Sequence, residues 1–191
     1  MRVLALVGSP RKGGNTETLV GAIAQGAAEC GAEVETIRLN DLDIQMCQAC
    51  DECKNPDAYT GCVLGDGMIQ VHEKLEACDA FILGCPIYFF GPSAQAKVFL
   101  DRWYALWPPE GAKWESCLTG KRMALALVYG DVDPFSAGAI NAYGTFRDAA
   151  SYVGAKIVGV VYGTANDPGE IGANVTVMRE ARALGEKLAC K

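Results

Sequence analysis

The sequence predicts an α/β fold in which a parallel sheet of five strands is covered by helices on both faces. Two patterns carry that prediction. Short apolar runs at residues 3–7, 80–83, 123–129 and 157–162 are too brief for helices and suit strands buried on both faces. Between them apolar residues return at helical spacing, so strand and helix alternate, and units of that kind join parallel strands by right-handed crossovers. A third observation points to a ligand. The first run breaks at Gly8 into the turn Gly8-Ser9-Pro10-Arg11-Lys12-Gly13-Gly14-Asn15-Thr16, and helix-like sequence follows.

Each element has its own local reason. Asn15 and Thr16 are good helix N-caps; Leu19, Val20, Ile23, Ala27 and Cys30 then share one face, and Gly31 closes the helix. Residues 33–39 form a more polar strand, suited to a sheet edge. Residues 40–64 are irregular and hold a cysteine-rich insert at about 45–64. Asp66 suits the cap of a short helix carrying Met68, Val71 and Leu75. After the strand at 80–83, Ser93 caps a helix with Ala96, Phe99, Leu100 and Trp103 inward. A long loop at 108–120 with Pro108, Pro109 and Trp114 leads to the strand at 123–129. Ile140, Tyr143, Phe146 and Ala150 make the next helical face, and Val175, Met178, Ala181, Leu184 and Leu188 the last, after the strand at 157–162. No repeat, low-complexity tract or linker divides the chain, so residues 1–191 read as one domain.

Composition removes several classes of function. Half of the 191 residues are hydrophobic, which excludes disorder, and the net charge is −6 from 17 basic and 23 acidic side chains. With no long basic run, neither nucleic acid nor an anionic membrane surface is an expected partner. No apolar stretch approaches the ~20 residues of a membrane helix, and the apolar run after Arg2 is too short for a signal peptide. A cytoplasmic protein is expected, in which the nine cysteines serve as thiols or metal ligands and not as disulfides.

A strand–turn–helix junction with free N–H groups at the helix start is an anion site. In the Walker A phosphate loop a Lys and a hydroxyl follow the second glycine; here Gly14-Asn15 stands in their place. The dinucleotide pattern fails because Pro10 occupies its second glycine position. What remains is a ring of short donors, Ser9, Asn15 and Thr16, around one terminal phosphate, which suits a mononucleotide. In a parallel sheet ligands sit outside the carboxyl ends of the strands. Two further loops meet that condition: Cys85 to Ser93, rich in Tyr88, Phe89 and Phe90, and Tyr129-Gly130-Asp131 to Phe135. A flat heterocycle held by backbone amides and aromatic walls would use such a composition; the alternative is that Tyr88, Phe89 and Phe90 cap the core or fill a subunit interface.

These residues carry a resemblance. Gly8-Ser9-Pro10-Arg11 with Gly14-Asn15-Thr16, then Pro86-Ile87-Tyr88-Phe89, Ser93-Ala94-Gln95 and Lys97-x3-Asp101-Arg102, resemble the flavodoxin-like NAD(P)H-dependent FMN reductase superfamily. Cys47-x2-Cys50-x2-Cys53 makes its iron–sulfur flavoprotein branch the nearest match. The resemblance covers essentially the whole chain and implies a flavodoxin-like three-layer sandwich with strand order 2-1-3-4-5. It further implies that Ser9, Arg11, Gly14, Asn15 and Thr16 hold the FMN phosphate. Pro86, Ile87, Tyr88, Phe89, Phe90 and Gly91 would line the isoalloxazine ring, with Tyr129, Gly130 and Asp131 beside them. Tyr88, Tyr129 and Asp131 are candidates to adjust the flavin or meet a substrate. Asp101 and Arg102 read as a structural or interface ion pair.

Cys47-Gln48-Ala49-Cys50-Asp51-Glu52-Cys53 puts three thiolates on one turn, as three corners of a cubane cluster need. Cys62 is the fourth candidate, after eight intervening residues in which Pro56 and Gly61 let the chain turn back. That gap is longer than the branch typically shows. A Cys₄ zinc or a loop that binds nothing is the alternative to a [4Fe–4S] cluster. Cys30, Cys78, Cys85, Cys117 and Cys190 read as structural or isolated, and His72, the only histidine, has no nucleophile at a recognisable spacing.

The expected function is an FMN-dependent oxidoreductase that passes electrons from a donor (NAD(P)H or a ferredoxin-like protein) to a small acceptor through FMN and a [4Fe–4S] cluster. A cluster-free NAD(P)H-dependent FMN or quinone reductase, or a flavodoxin-like carrier with no substrate of its own, is the alternative. The resemblance implies a homodimer or homotetramer. Trp103-Tyr104-Ala105-Leu106-Trp107-Pro108-Pro109 with Trp114 carries more apolar surface than one helix face buries, which marks either a protein–protein contact or an aromatic core under a long loop.

Overall fold

In a computed structural model that describes residues 1–55, 61–112 and 115–190, strands and helices alternate as the apolar pattern requires. The strands are β1 (Arg2–Val7), β2 (Glu33–Arg38), β3 (Ala80–Tyr88), β4 (Gly91–Pro92), β5 (Arg122–Tyr129) and β6 (Lys156–Thr164). The helices are α1 (Asn15–Glu29), α2 (Met68–Ala77), α3 (Ala94–Asp101), α4 (Ala139–Tyr152) and α5 (Val175–Ala189). Five strands pair in parallel in the order β2-β1-β3-β5-β6, which is the expected 2-1-3-4-5 once the short β4 is set aside. β4 is an addition the periodicity does not show: two residues folded back antiparallel on the end of β3, with Ile87 opposite Pro92 and Tyr88 opposite Gly91.

Alternation along the strands builds the two outer layers. Val3, Ala5 and Val7 point to one face with Ile82, Ala124 and Ala126, where α1 and α5 deliver Leu19, Ile23, Ala181 and Leu188. Leu4 and Leu6 point to the other with Phe81, Leu83, Leu125 and Leu127, against Val71 and Leu75 of α2, Phe99 of α3 and Phe146 of α4. Most of β1, β3 and β5 is buried on both faces, while β2 at the edge carries only half-buried and exposed residues.

Several local expectations need correction. Asn15 is the first residue of α1 and Gly14 its cap. The side chain of Ser93 does cap α3, accepting from the Ala96 N–H at 3.3 Å. The aromatic stretch after α3 is largely internal. Trp103 is buried edge-on against Phe81 and Phe99, Ala105 and Leu106 are buried, and Trp107 lies against Tyr152. The surplus apolar surface expected there is thus taken up by the core; only Tyr104 of that run is exposed, and Trp114 lies outside the described residues. Asp101 and Arg102 do not pair: Asp101 meets Lys97 one turn back at 2.5 Å, and Arg102 turns inward to Asp66. Cys30 and Cys190 are not isolated thiols but a disulfide joining the ends of α1 and α5, contrary to the expectation from compartment. Among the described residues no helix is long and apolar enough to cross a membrane.

Candidate functional site

The loops after β1, β3, β5 and β6 meet at the carboxyl end of the sheet around a cavity of about 230 Å³. Its walls are Ser9, Arg11, Gly14, Asn15 and Thr16 from the first loop, Pro86, Ile87 and Tyr88 from the end of β3, Val128, Tyr129 and Gly130 from β5, and Ala165 and Asn166 beyond β6. The first loop is rigid for identifiable reasons. A Cβ on Gly8 would lie 2.9 Å from that of Ala96 and 3.0 Å from the Gly84 carbonyl, so only glycine lets β1 end against α3. The Gly8 carbonyl accepts from the buried Ser93 hydroxyl. Gly13 takes a left-handed conformation (φ +65°) and donates to Glu17 at 2.8 Å, and Glu17 is paired with Arg38 from the end of β2. Ser9 and Thr16 are each 2 % exposed, and the Ser9 oxygen accepts from the Arg11 N–H at 3.2 Å. Short hydroxyls, backbone N–H groups and the positive end of α1 therefore converge on one cavity.

Asn15 stands in the same wall, but its carboxamide is engaged elsewhere. Its Nδ2 donates to the Asp167 carbonyl at 2.8 Å, and its Oδ1 accepts from the Ile171 N–H at 3.1 Å. It ties the start of α1 to the loop after β6. That loop is the part of the site the sequence reading missed. Asn166-Asp167-Pro168-Gly169 has turn composition directly after a parallel strand, the signal that selects the other loops. Asn166 donates to Gly130 O at 3.3 Å, and Glu170 holds the loop by accepting from the Asn166 and Asp167 N–H groups.

Phe89, Phe90, Gly91 and Asp131 do not line the cavity. Phe89 and Phe90 are the two central residues of the β3–β4 hairpin, both with positive φ (46° and 66°) and exposed by 97 % and 58 %. Two-residue hairpins favour that geometry but normally fill it with glycine or asparagine, so the aromatic tip is locally strained. Gly138, itself left-handed (φ +78°), lies so close behind it that a Cβ would strike the Phe90 backbone. The Asp131 carboxylate caps the Val132 N–H at 2.7 Å, and its carbonyl accepts from Thr164. Cys85, at the end of β3, is a buried neutral thiol: burial pushes it up to about 11 against two hydrogen bonds with Ser93.

A second site lies in the irregular segment after β2. Cys47, Cys50, Cys53 and Cys62 line one cavity of about 20 Å³ together with Arg102, Tyr104 and Ala105. Cys47 and Cys50 are exposed and Cys53 is buried. Burial pushes the Cys53 thiol up, the Lys54 ammonium pulls it down, and Cys62 and Cys50 push it up again. Among the described residues no three His, Cys, Asp or Glu side chains are placed to grip one ion; the four cysteines share the lining of one small cavity. Pro56 lies outside the described residues. Ala49 and Asp51 both have left-handed backbone (φ 51° and 58°), although neither is glycine. Alternation of left- and right-handed residues turns successive N–H groups inward and makes the anion-binding concavities found around phosphates and iron–sulfur clusters. The donor set fits a thiolate-held cluster.

The segment is anchored by two cations. Lys54 donates to the carbonyls of Tyr104 and Trp107, each at 2.5 Å, with its ammonium 4.0 Å from the centre of the Tyr104 ring. Arg102 is buried and grips Asp66 through both Nη atoms, at 2.5 and 3.1 Å, while Nη1 also reaches the Gln45 carbonyl at 2.9 Å. Asp66 accepts further from the N–H groups of Gln45 and Met68, at 2.8 and 2.9 Å. Burial opposes its charge, yet these bonds hold its carboxyl below the usual range. Beside the pair, burial and the Arg102 charge lower the imidazole of His72 to about 4, so it is neutral at pH 7.

Comparison with known proteins bears on both sites. Residues 1–168 match the NADPH-dependent FMN reductase family. An iron–sulfur flavoprotein of Archaeoglobus fulgidus is 30 % identical over 196 residues, covering 99 % of this chain and 79 % of the relative. An iron–sulfur flavoprotein of Methanosarcina thermophila is 36 % identical over 102 residues, which cover 53 % of this chain. The match spans about half of that relative's length, 52 %. Among solved structures, the NAD(P)H:quinone oxidoreductase of Methanothermobacter marburgensis has the same fold, with a TM-score of 0.77 over all of this chain and 98 % of that one at 15 % identity.

Proposed function

This chain belongs to the NADPH-dependent FMN reductase family, in its iron–sulfur flavoprotein branch, and on that premise we propose that it is an FMN-dependent oxidoreductase carrying a [4Fe–4S] cluster. Its donor is NAD(P)H or a ferredoxin-like protein and its acceptor a small molecule. The observation that carries the reading is the coexistence of two separate ligand cavities, one of flavin-loop geometry at the carboxyl end of the sheet and one lined by four cysteines.

FMN supplies two-electron chemistry and a cluster one-electron chemistry when both are bound, so together they couple the two kinds of step. The chain's own groups bind and position. Ser9, Arg11 and Thr16, with the N–H groups that open α1, would hold the phosphate. Pro86, Ile87 and Tyr88 supply one wall for a flat ring and Tyr129-Gly130 the other. Burial raises the Tyr129 hydroxyl, against a lowering hydrogen bond with Thr164, so it stays protonated as a donor. Cys47, Cys50, Cys53 and Cys62 would hold the cluster, with Lys54 fixing their turn on the segment after α3. No side chain is required as a general acid or base.

Anaerobic purification followed by flavin, iron and zinc assays on one sample tests the reading. One FMN and four irons per chain with NAD(P)H-dependent bleaching is the expected result. FMN without iron would leave the plain FMN reductase, and zinc in place of iron would make the cysteine site structural.

A further inference from the structure

The cysteine cavity holds one cation that the cysteines themselves do not explain. Arg102 is 2 % exposed, lies in the wall of that cavity and is oriented by Asp66, whose two oxygens together accept from four donors. It lines the same cavity as Cys62, and its buried Nε has no hydrogen-bond partner among the described residues. A buried Arg–Asp pair is a poor device for stability alone, because desolvation of the two charges offsets their attraction. Facing a set of thiolates it acquires another use. Each thiolate is an anion, and charge and hydrogen bonds at the sulfurs are what set the potential of an iron–sulfur centre.

We propose that Arg102, held in place by Asp66 in the wall of the cysteine cavity, is a positioning residue that raises the reduction potential of the cluster. The proposal rests on the cluster reading above. A cation in the wall of the site stabilises the more negative, reduced form, so the sign is fixed. Removing Arg102 leaves Asp66 as a bare anion beside the site and lowers the potential; removing the charge of Asp66 leaves Arg102 uncompensated and raises it. Lys54 and Asp51 also act on the segment, but Lys54 is committed to the carbonyls of Tyr104 and Trp107.

The test is an anaerobic, dye-mediated redox titration of the iron-loaded protein, followed by electron paramagnetic resonance of the reduced cluster, on the wild type, R102Q, D66N and R102Q/D66N. The expected result is opposite shifts for the two single variants. R102Q moves the one-electron equilibrium at least tenfold towards the oxidised cluster, 59 mV at n = 1, D66N moves it towards the reduced form, and the double variant lies between R102Q and the wild type. If R102Q alone does not fold, the double variant carries no unpaired buried charge and must still shift towards the oxidised cluster. Unchanged midpoints at full iron content, or shifts of the same sign in both single variants, overturn the proposal. So does loss of iron from every variant with the fold intact, since the pair would then serve assembly and not potential. A wild type that contains no iron overturns the cluster reading instead, and does so before any substitution is made.

Discussion

The loop after β1 and the segment after β2 both gather ligand-binding groups onto a short stretch of chain, by opposite means. The first is clamped between a buried strand and a helix, with Ser9 and Thr16 almost inaccessible and its turn residue a glycine in the left-handed region. The second, among its described residues, has two three-residue helical turns, Leu39–Asp41 and Glu52–Lys54, and no strand. Its left-handed residues are Ala49 and Asp51, and two of its cysteines are exposed. Regular structure orients the first loop, and Ser93, Arg38 and the loop after β6 fasten it there. The second depends on remote side chains: Lys54 bonded to Tyr104 and Trp107, and the Arg102–Asp66 pair behind. One ligand loop is preorganised chiefly by the strand and helix that flank it, the other by side chains remote in sequence.

If the sites are independent, each can be emptied without the other. The largest effect is expected from Cys50→Ser, which should abolish the cluster while FMN binds within about twofold of wild type. Cys62→Ser asks the same of the long-spaced ligand, and full iron with an unchanged spectrum would remove Cys62 from the set. In the other direction, Ser9→Ala with Thr16→Ala should weaken FMN more than tenfold in a titration of apo-protein, since each lost bond to a charged phosphate costs about 1.5–3 kcal/mol. Iron content should not change. A parallel loss of iron would show that the two loops are not separate.

Acid should separate the regions next. The imidazole of His72 is lowered from 6.5 to about 4 in the fold, so the unfolded chain binds the extra proton first. This contribution is complete above pH 6.5 and is lost as pH falls towards 4, in all roughly 3 kcal/mol. Hydrogen exchange should show α2 and the cysteine segment loosening in that window while α1 stays protected, and His72→Gln should flatten the dependence. Asn15→Ala leaves the buried Ile171 N–H without its acceptor and should cost about 1–3 kcal/mol of stability; a larger effect on FMN affinity than on melting would make Asn15 a direct phosphate ligand after all. The smallest effect is that of Ala49→Gly. Relief of a left-handed alanine should add about 0.5–1 kcal/mol, visible as a slightly higher Tm with iron retained.

Much of this molecule follows from its sequence alone. Period-two and period-3.6 patterns are local, so the alternation of strands and helices and the parallel sheet can be read directly. So can the glycine-rich turn, because Gly8, Ser9, Gly13 and Thr16 act within nine consecutive residues. The CxxCxxC spacing of Cys47, Cys50 and Cys53 is legible for the same reason. The tertiary structure alone decided what depends on contacts between distant residues. It engaged Asn15 with a loop more than 150 positions away, closed a disulfide between Cys30 and Cys190 across 160 and turned the Phe89-Phe90 tip out of the cavity. Above all, it drew Arg102 away from its neighbour Asp101 and across 36 positions to Asp66, beneath the cysteines. Periodicity records which face of an element is buried, not which partner a buried charge will find, since that partner is selected by the packing of elements whose contacts leave no spacing in the chain.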